Sequence, residues 1–369
     1  MTTQTKPSVN EGLEGIVAAE TRLSHVDGER GELIVAGHRL EDLAQHSFED
    51  VVGLLWTAAG VESAVTPRAS PLPPGTLALL RDAASRRLAP MDALRMGAGT
   101  LVADDDRSAA AAIVGGLPVI AATYARLLAG HEPLAPRPDL GIAANALYLF
   151  TGNEPHPEHV QALNIYLTTV ADHGFNASTF TARVITSTGS DFISAVTGAI
   201  GALKGPLHGG APGPALDMVF EIGSPERAES VLRQKLAAGE RLMGFGHRIY
   251  KVRDPRAEVL GAAAHRLFTS AGDLRVYDLA RQVESVALRL LEEHRPGRRL
   301  QTNVEFYTAL LLHGLGLPVA QFTPTFAVGR AAGWTAHCFE QRARGRLIRP
   351  QSRYVGAIPS MHRVPQPTA

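Results

Sequence analysis

Apolar residues recur along most of the chain at three- and four-residue spacing, the signature of helices with a buried face. The spacing predicts helices over about 47–59, 75–88, 106–128, 141–151, 158–172, 176–187 and 190–203. It resumes over about 211–220, 225–237, 255–270, 274–294, 303–313 and 324–343. The stretch 106–128 is rich in alanine, which lets neighbouring helices approach closely. Strand-like alternation is rare. Its main instance is RLSHVDGERGELIVA at 22–36, where two extended runs flank Asp27-Gly28 and predict a hairpin. Proline-rich connections occur near 65–74 and 132–138. From Phe306 to Gly329 there is no charged residue, but prolines and glycines would leave broken backbone in lipid. That run reads as a buried helix, a turn and a second helix. The expected fold is all-α with a small N-terminal β-hairpin, its helices buried on most faces. The tails, about 1–10 and 360–369, are expected to be mobile.

Composition narrows the function classes. With 369 residues, 45% of them hydrophobic, the chain can bury a large core in two domains or one large one. The 36 basic residues balance the 36 acidic ones, so no global field draws nucleic acid or a membrane surface, and any anion site must be local. Cys338 is the single cysteine, which excludes an intrachain disulfide and a thiolate zinc site. It reads as a small core residue. The N-terminus, MTTQTKPSVNEG, lacks an apolar secretory core, so a cytoplasmic location is expected. Gly-x-Ser-x-Gly, His-Glu-x-x-His and a phosphate-cradling Gly-Lys-Ser/Thr loop are all missing. No metal site is expected; His156 and His159, three apart, lack an evident third ligand.

Three histidine-bearing segments could carry chemistry. In Lys204-Gly-Pro-Leu-His208-Gly-Gly, the histidine precedes a helix whose positive end disfavours imidazolium. A neutral imidazole there could donate to a forming oxyanion, although a histidine in such a turn is often only a turn residue. In Met243-Gly-Phe-Gly-His247-Arg-Ile-Tyr-Lys-Val-Arg-Asp-Pro-Arg256, glycines permit close backbone approach and a basic cluster follows. Asp254 caps a helix that has Pro255 at its first position. The cluster suits carboxylate or phosphate, or is a solvated basic turn. In Ala171-Asp-His173-Gly-Phe-Asn-Ala-Ser178, the residues Asp172, Asn176 and Ser178 read as ordinary caps.

Together these segments resemble the citrate synthase family, especially its shorter bacterial members, from about Gly12 to Gly356. GLEGIVAAETRLSHVDGERGELIVAGHRLEDLA, ADHGFNAS, GPLHGG, GFGHRIYKVRDPR, TNVEFYTALLLHGLGLP, and GRAAGW with IRPQSRYVG follow the family's order. The resemblance implies a homodimer of helical subunits, each with a large domain (1–211 and 313–369) and a small one (212–312) that closes over substrate. It implies an acyltransferase that condenses acetyl-CoA with oxaloacetate and water to give citrate and CoA, with no cofactor or metal. The implied catalytic residues are His208, His247 and Glu305. Oxaloacetate would be held by His173, Arg256, Phe326, Arg330 and Arg349, the last reaching across from the partner subunit. CoA would meet Met243, Gly244, Phe245, Gly246 and Lys251. Neither nucleic acid nor membrane is an implied partner.

Two departures from the family pattern stand out. Most members carry Asn-Val-Asp where this chain has Asn303-Val304-Glu305, and the longer side chain moves the carboxylate by roughly 1 Å, a shift that can cost about a hundredfold in rate. Gly174 follows His173 where relatives often have glutamate. Two other readings remain open: a 2-methylcitrate synthase using propionyl-CoA, and a CoA-binding paralogue impaired in catalysis.

Overall fold

The structure, a computed structural model, describes residues 10–13, 15–62, 65–209 and 212–357. The tails, apart from Asn10, and the Gly210 end of the GPLHGG segment lie outside the described residues. The hairpin forms from β1 (Ser24–Asp27) and β2 (Glu32–Val35), paired antiparallel from Ser24↔Val35 to Asp27↔Glu32. Its turn is Gly28–Gly31, and Asp27 Oδ1 accepts the Glu29 and Arg30 amides at 3.0 and 2.9 Å. A two-residue β3 (His38–Arg39), unforeseen in the sequence, extends the sheet beside β2.

The rest is helical. The first helices are α1 (Leu40–Leu43), α2 (Phe48–Ala58), α3 (Pro74–Ser85), α4 (Pro90–Ala98) and α5 (Asp106–Leu128). Next come α6 (Ile142–Thr151), α7 (Pro157–Thr169), α8 (Ala177–Ser187), α9 (Phe192–Leu203) and α10 (Pro212–Ile222). The last are α11 (Pro225–Ala237), α12 (Pro255–Ser270), α13 (Arg275–His294), α14 (Val304–Gly314) and α15 (Phe322–Arg344). Helix α5 begins at a capping box, in which Asp105 accepts the Ser108 amide and Ser108 Oγ accepts the Asp105 amide. The two helices the periodicity missed, α1 and α4, are too short to establish a period; α4 announces itself only by Pro90 at its first position. The charge-free run folds as expected, into α14, a turn and α15.

Helix α15 runs through the core against α2, α5, α8 and α9, buried along most of its length. Cys338 lies on it, fully buried, and burial pushes its thiol up to about 12, as befits a core residue. Helices α10 to α14 form a second group, with α10 on α14, α11 on α13 and α12 on α14. The two groups meet where α12 packs on α7 and α14 on α15.

The seam between α7 and α15 fixes the segment 170–174. The predicted helix 158–172 ends early, at Thr169. The segment just beyond it is held by α15 instead: Arg330 Nε donates to Val170 O at 2.6 Å, and the Gly333 amide donates to Ala171 O at 3.0 Å. Gly333 admits this approach because it has no Cβ; a methyl there would run into Ala171 O and Asp172 Oδ1. Gly333→Ala is therefore expected to destabilise the fold by about 1–3 kcal/mol through overpacking. A thermal melt checks this; an unchanged midpoint would show that the seam relaxes freely.

Candidate active site

The site is assembled from one electrostatic fastening and three imidazoles. Asp254, fully buried, caps α12 by accepting the Arg256 amide at 3.0 Å. The same carboxylate holds the Arg256 guanidinium through Nε at 3.1 Å and Nη2 at 2.8 Å. Its Oδ2 also accepts the Val304 amide at 3.2 Å, which ties the start of α14 to the start of α12. Glu305 is the second residue of α14. Asn303 caps that helix by accepting the Glu305 amide at 3.0 Å, and its Nδ2 donates to Gly246 O at 2.9 Å. Gly246 N donates to Gln301 O at 2.7 Å and Asn303 N to Gly244 O at 3.0 Å. Both glycines have positive φ, +89° for Gly244 and +85° for Gly246, a conformation L side chains rarely adopt. The segment that carries His247 is thus stitched to the one that carries Glu305.

His247 Nδ1 accepts two amides, Ile249 at 3.0 Å and Tyr250 at 3.1 Å. Amides can only donate, so the imidazole proton resides on Nε2. That nitrogen lies 3.4 Å from Arg256 Nη2, so two donors converge on one point. Burial and the Arg256 charge lower His247 to about 4, which leaves it neutral near pH 7. His173 is buried, its ring 5.6 Å from that of His247, with Nε2 3.1 Å from the Tyr250 hydroxyl. Burial, together with Arg256 and Arg330, holds it well below the usual histidine range.

His208 comes from the other side. The Ser178 amide donates to His208 Nε2 at 3.3 Å, and Ser178 Oγ lies 2.8 Å from the same nitrogen. Trp334 Nε1 donates to that hydroxyl at 3.1 Å. The amide contact assigns the proton of a neutral imidazole to Nδ1. Burial and the Arg330 charge lower His208 to about 4. The sequence suggests that the helix after the turn opposes imidazolium, but residues 210 and 211, which lead from that turn into α10, lie outside those described. The helix end in contact is that of α8, whose second residue is Ser178.

Arg330 is almost fully buried. Its guanidinium stacks 4.7 Å from the centre of the Phe326 ring, and Nη2 has no hydrogen-bond partner among the described residues. Burial draws it down to about 10, partly countered by Asp172, so it remains a cation. Asp172 is supported by residues the sequence reading missed. His337 Nε2 lies 3.2 Å from Asp172 Oδ1, and His337 Nδ1 lies 3.0 Å from Arg183, which pairs with Glu340 at 2.7 Å. Nothing local marks His337 or Arg183: each sits in a helix otherwise legible only as core.

Glu305 is the one acid of the set whose carboxyl is raised, to about 7. Burial is the main cause, with Arg256 opposing it. Arg256, Arg330 and Glu305 all act electrostatically on buried Tyr166, and Arg330 acts on both His173 and His208, so these groups share one interior region.

Other candidate residues lie elsewhere or serve other contacts. Arg349 is exposed and makes no ion pair among the described residues. The neighbouring Ile348 amide binds Ser187 Oγ at 3.0 Å, at the opposite end of α8 from Ser178, roughly 14 Å along the helix axis. The chain therefore does not itself bring Arg349 to the histidines. Lys251 is exposed, and its amide donates to Gly28 O at 2.8 Å in the hairpin turn. Lys204 pairs with Asp92 at 2.6 Å. Met243 is partly buried and Phe245 buried, the ring of the latter 5.3 Å from that of Phe306 and tilted by 54°.

Comparison with known proteins establishes the family. The family profile described as "Citrate synthase, C-terminal domain" matches residues 12–351. Citrate synthase of Haloferax volcanii is 39% identical, over 94% of this chain and 96% of that one. Citrate synthase 2 of Bacillus subtilis is 38% identical, over 95% and 96%. The crystal structure of citrate synthase from Pyrobaculum aerophilum superposes with a TM-score of 0.84 at 33% identity, covering 95% of this chain and 93% of that one. A ternary complex of carboxymethyl-CoA and oxaloacetate with the Thermoplasma acidophilum enzyme gives 0.84 at 28% identity, covering 96% and 98%. The chain belongs to the citrate synthase family. It is a transferase enzyme of the citrate-synthase type.

The environment of Glu305 makes a direct prediction. In a difference infrared titration of wild type against Glu305→Gln, the Glu305 carboxylate band should grow in with a midpoint near pH 7. A midpoint near the ordinary 4.5 would mean the side chain is solvated, contradicting the buried geometry.

Proposed function

We propose that the protein condenses acetyl-CoA with oxaloacetate and water, releasing citrate and CoA. The observation that carries this reading is the paired donor site of His247 Nε2–H and Arg256, 3.4 Å apart and facing each other without a shared acceptor among the described residues. A ketone or carboxylate oxygen of a 2-oxo dicarboxylate supplies that acceptor. Arg330, whose Nη2 has no partner among the described residues, and His173 hold the remaining charge, and Phe326 backs Arg330. The Thermoplasma relative, solved with oxaloacetate and a CoA analogue, supports the same pair of substrates.

In this mechanism Glu305 removes a proton from the acyl α-carbon. His208 donates from Nδ1–H to the thioester oxygen, stabilising the enol or enolate. The new carbanion equivalent attacks the ketone carbon of oxaloacetate. His247 polarises that ketone from Nε2–H and stabilises the alkoxide as the carbon–carbon bond forms. Water then cleaves the citryl thioester, and CoA leaves as the thiol. A carboxylate that titrates near 7 is well matched to a proton-transfer role at neutral pH. All of these steps are drawn with side chains alone.

We assign the catalytic groups to two domains, 1–211 with 313–369 and 212–312. In support, His173, His208 and Arg330 come from the first group of helices, and His247, Arg256 and Glu305 from the second. Closing one on the other would exclude water before bond formation. CoA is assigned to the segment Met243–Gly246 and to Lys251. Because Gly244 O and Gly246 N and O are already bonded to 301–303, any contact of this segment with adenine also braces the base. We further infer a homodimer in which Arg349 completes the partner's oxaloacetate site, in keeping with its exposure at the far end of α8. A cytoplasmic location accords with this metabolism.

Thiol release with oxaloacetate present tests the reaction. Acetyl-CoA is expected to be preferred over propionyl-CoA by about 10–200-fold, the range a single methylene commands. The reverse preference would make the product 2-methylcitrate, and no thiol from either substrate would contradict the reading. Glu305→Gln is expected to lower kcat by about 10²–10⁴-fold while oxaloacetate still binds. In the wild type, kcat/KM for acyl-CoA should fall tenfold per pH unit below about 7, because Glu305 must be ionised. Near-normal turnover in Glu305→Gln would remove this residue from the mechanism.

A further inference from the structure

One buried side chain touches three of the residues assigned above to oxaloacetate and belongs to none of the motifs' expected roles. Tyr250 is 2% exposed. Its hydroxyl lies 3.1 Å from His173 Nε2, and its amide donates to His247 Nδ1 at 3.1 Å. Its ring is 4.8 Å from that of His247, tilted by 41°, and 5.6 Å from that of His173. The Arg256 guanidinium sits 5.9 Å from its ring centre. The packing contacts need only an aromatic ring, and the amide contact needs only backbone. The hydroxyl has a narrower use: it is the one side-chain hydrogen-bond partner of His173 among the described residues, and without it a buried ring nitrogen is left unsatisfied.

That hydrogen bond also crosses the seam. His173 lies in the turn between α7 and α8, held by α15, whereas Tyr250 lies between Gly246 and Asp254, held by α12 and α14. The Lys251 amide on Gly28 O anchors the same loop against the hairpin turn. The bond therefore forms only when the two groups of helices are together.

We propose that Tyr250 is a positioning residue for oxaloacetate, orienting His173 through its hydroxyl and holding His247 beside it only when the seam is closed. This rests on the oxaloacetate reading of the site. The phenol stays protonated throughout, since burial pushes it above its usual range.

The test is Tyr250→Phe, which keeps the ring and the backbone, with oxaloacetate binding measured by calorimetry and turnover by thiol release. Binding is expected to weaken about tenfold, the loss typical of one buried hydrogen bond. KM for oxaloacetate should rise in step, with kcat and the KM for acyl-CoA at saturating oxaloacetate changing less than about threefold. A side chain that only packs would lower the melting point and leave this split unseen. His173→Asn removes the same bond from its other end, and the double variant should bind no more weakly than His173→Asn alone. Wild-type affinity in Tyr250→Phe, or additive losses in the double variant, would overturn the inference while leaving the proposed reaction intact. Absence of oxaloacetate binding by the wild type would instead overturn the reading of the site, and this inference with it.

Discussion

The site depends on the burial of Asp254. One carboxylate caps α12, clamps Arg256 and takes the first free amide of α14. An isolated buried charge is expensive, and Asp254 is tolerated because all its partners are donors held by the fold. The return on that arrangement is geometric. It fixes the start of α14, and hence Glu305, relative to the start of α12, and hence Arg256 and His247. A solvated cap would have stabilised either helix without relating one to the other.

Burial then sorts the titratable groups. His208 and His247 are both drawn to about 4 and so are neutral, each with one ring nitrogen accepting from backbone N–H, which leaves the other nitrogen to donate as the proposed mechanism requires. Glu305 is raised to about 7 by the same desolvation, which suits the base role proposed for it. Arg256 and Arg330 keep their charge, one against Asp254 and the other with Asp172 as its counter-charge. One apolar interior produces neutral hydrogen-bond donors, a poised carboxylate and a fixed positive field without any net charge on the chain.

Much of this was legible in order of locality. Helices with long periods and clear caps, such as α5 and α12, were read to the residue, because apolar spacing and a local capping signal agree there. Helices α1 and α4 and strand β3 were not, since four to nine residues cannot establish a period. The end of α7 was misjudged because the segment just beyond it is held by Arg330 and Gly333, about 160 positions away. Asp254 was recognised as a cap, yet its bond to Val304 spans fifty residues and leaves no local trace. Tyr250, His337 and Arg183 act through partners distant in sequence, and each sits in a stretch whose pattern reads only as helix or basic turn. The motif histidines and Glu305 stood out because short segments with glycines and charges are unusual in a chain of apolar helices.

The most direct measurement is a crystal structure of the protein with oxaloacetate and carboxymethyl-CoA bound. A ketone oxygen should lie between His247 Nε2 and Arg256, a substrate carboxylate on Arg330, and the acetyl-mimicking group of the analogue between His208 and Glu305. Oxaloacetate bound elsewhere, or the analogue's reactive end beyond reach of Glu305, would contradict the proposed mechanism.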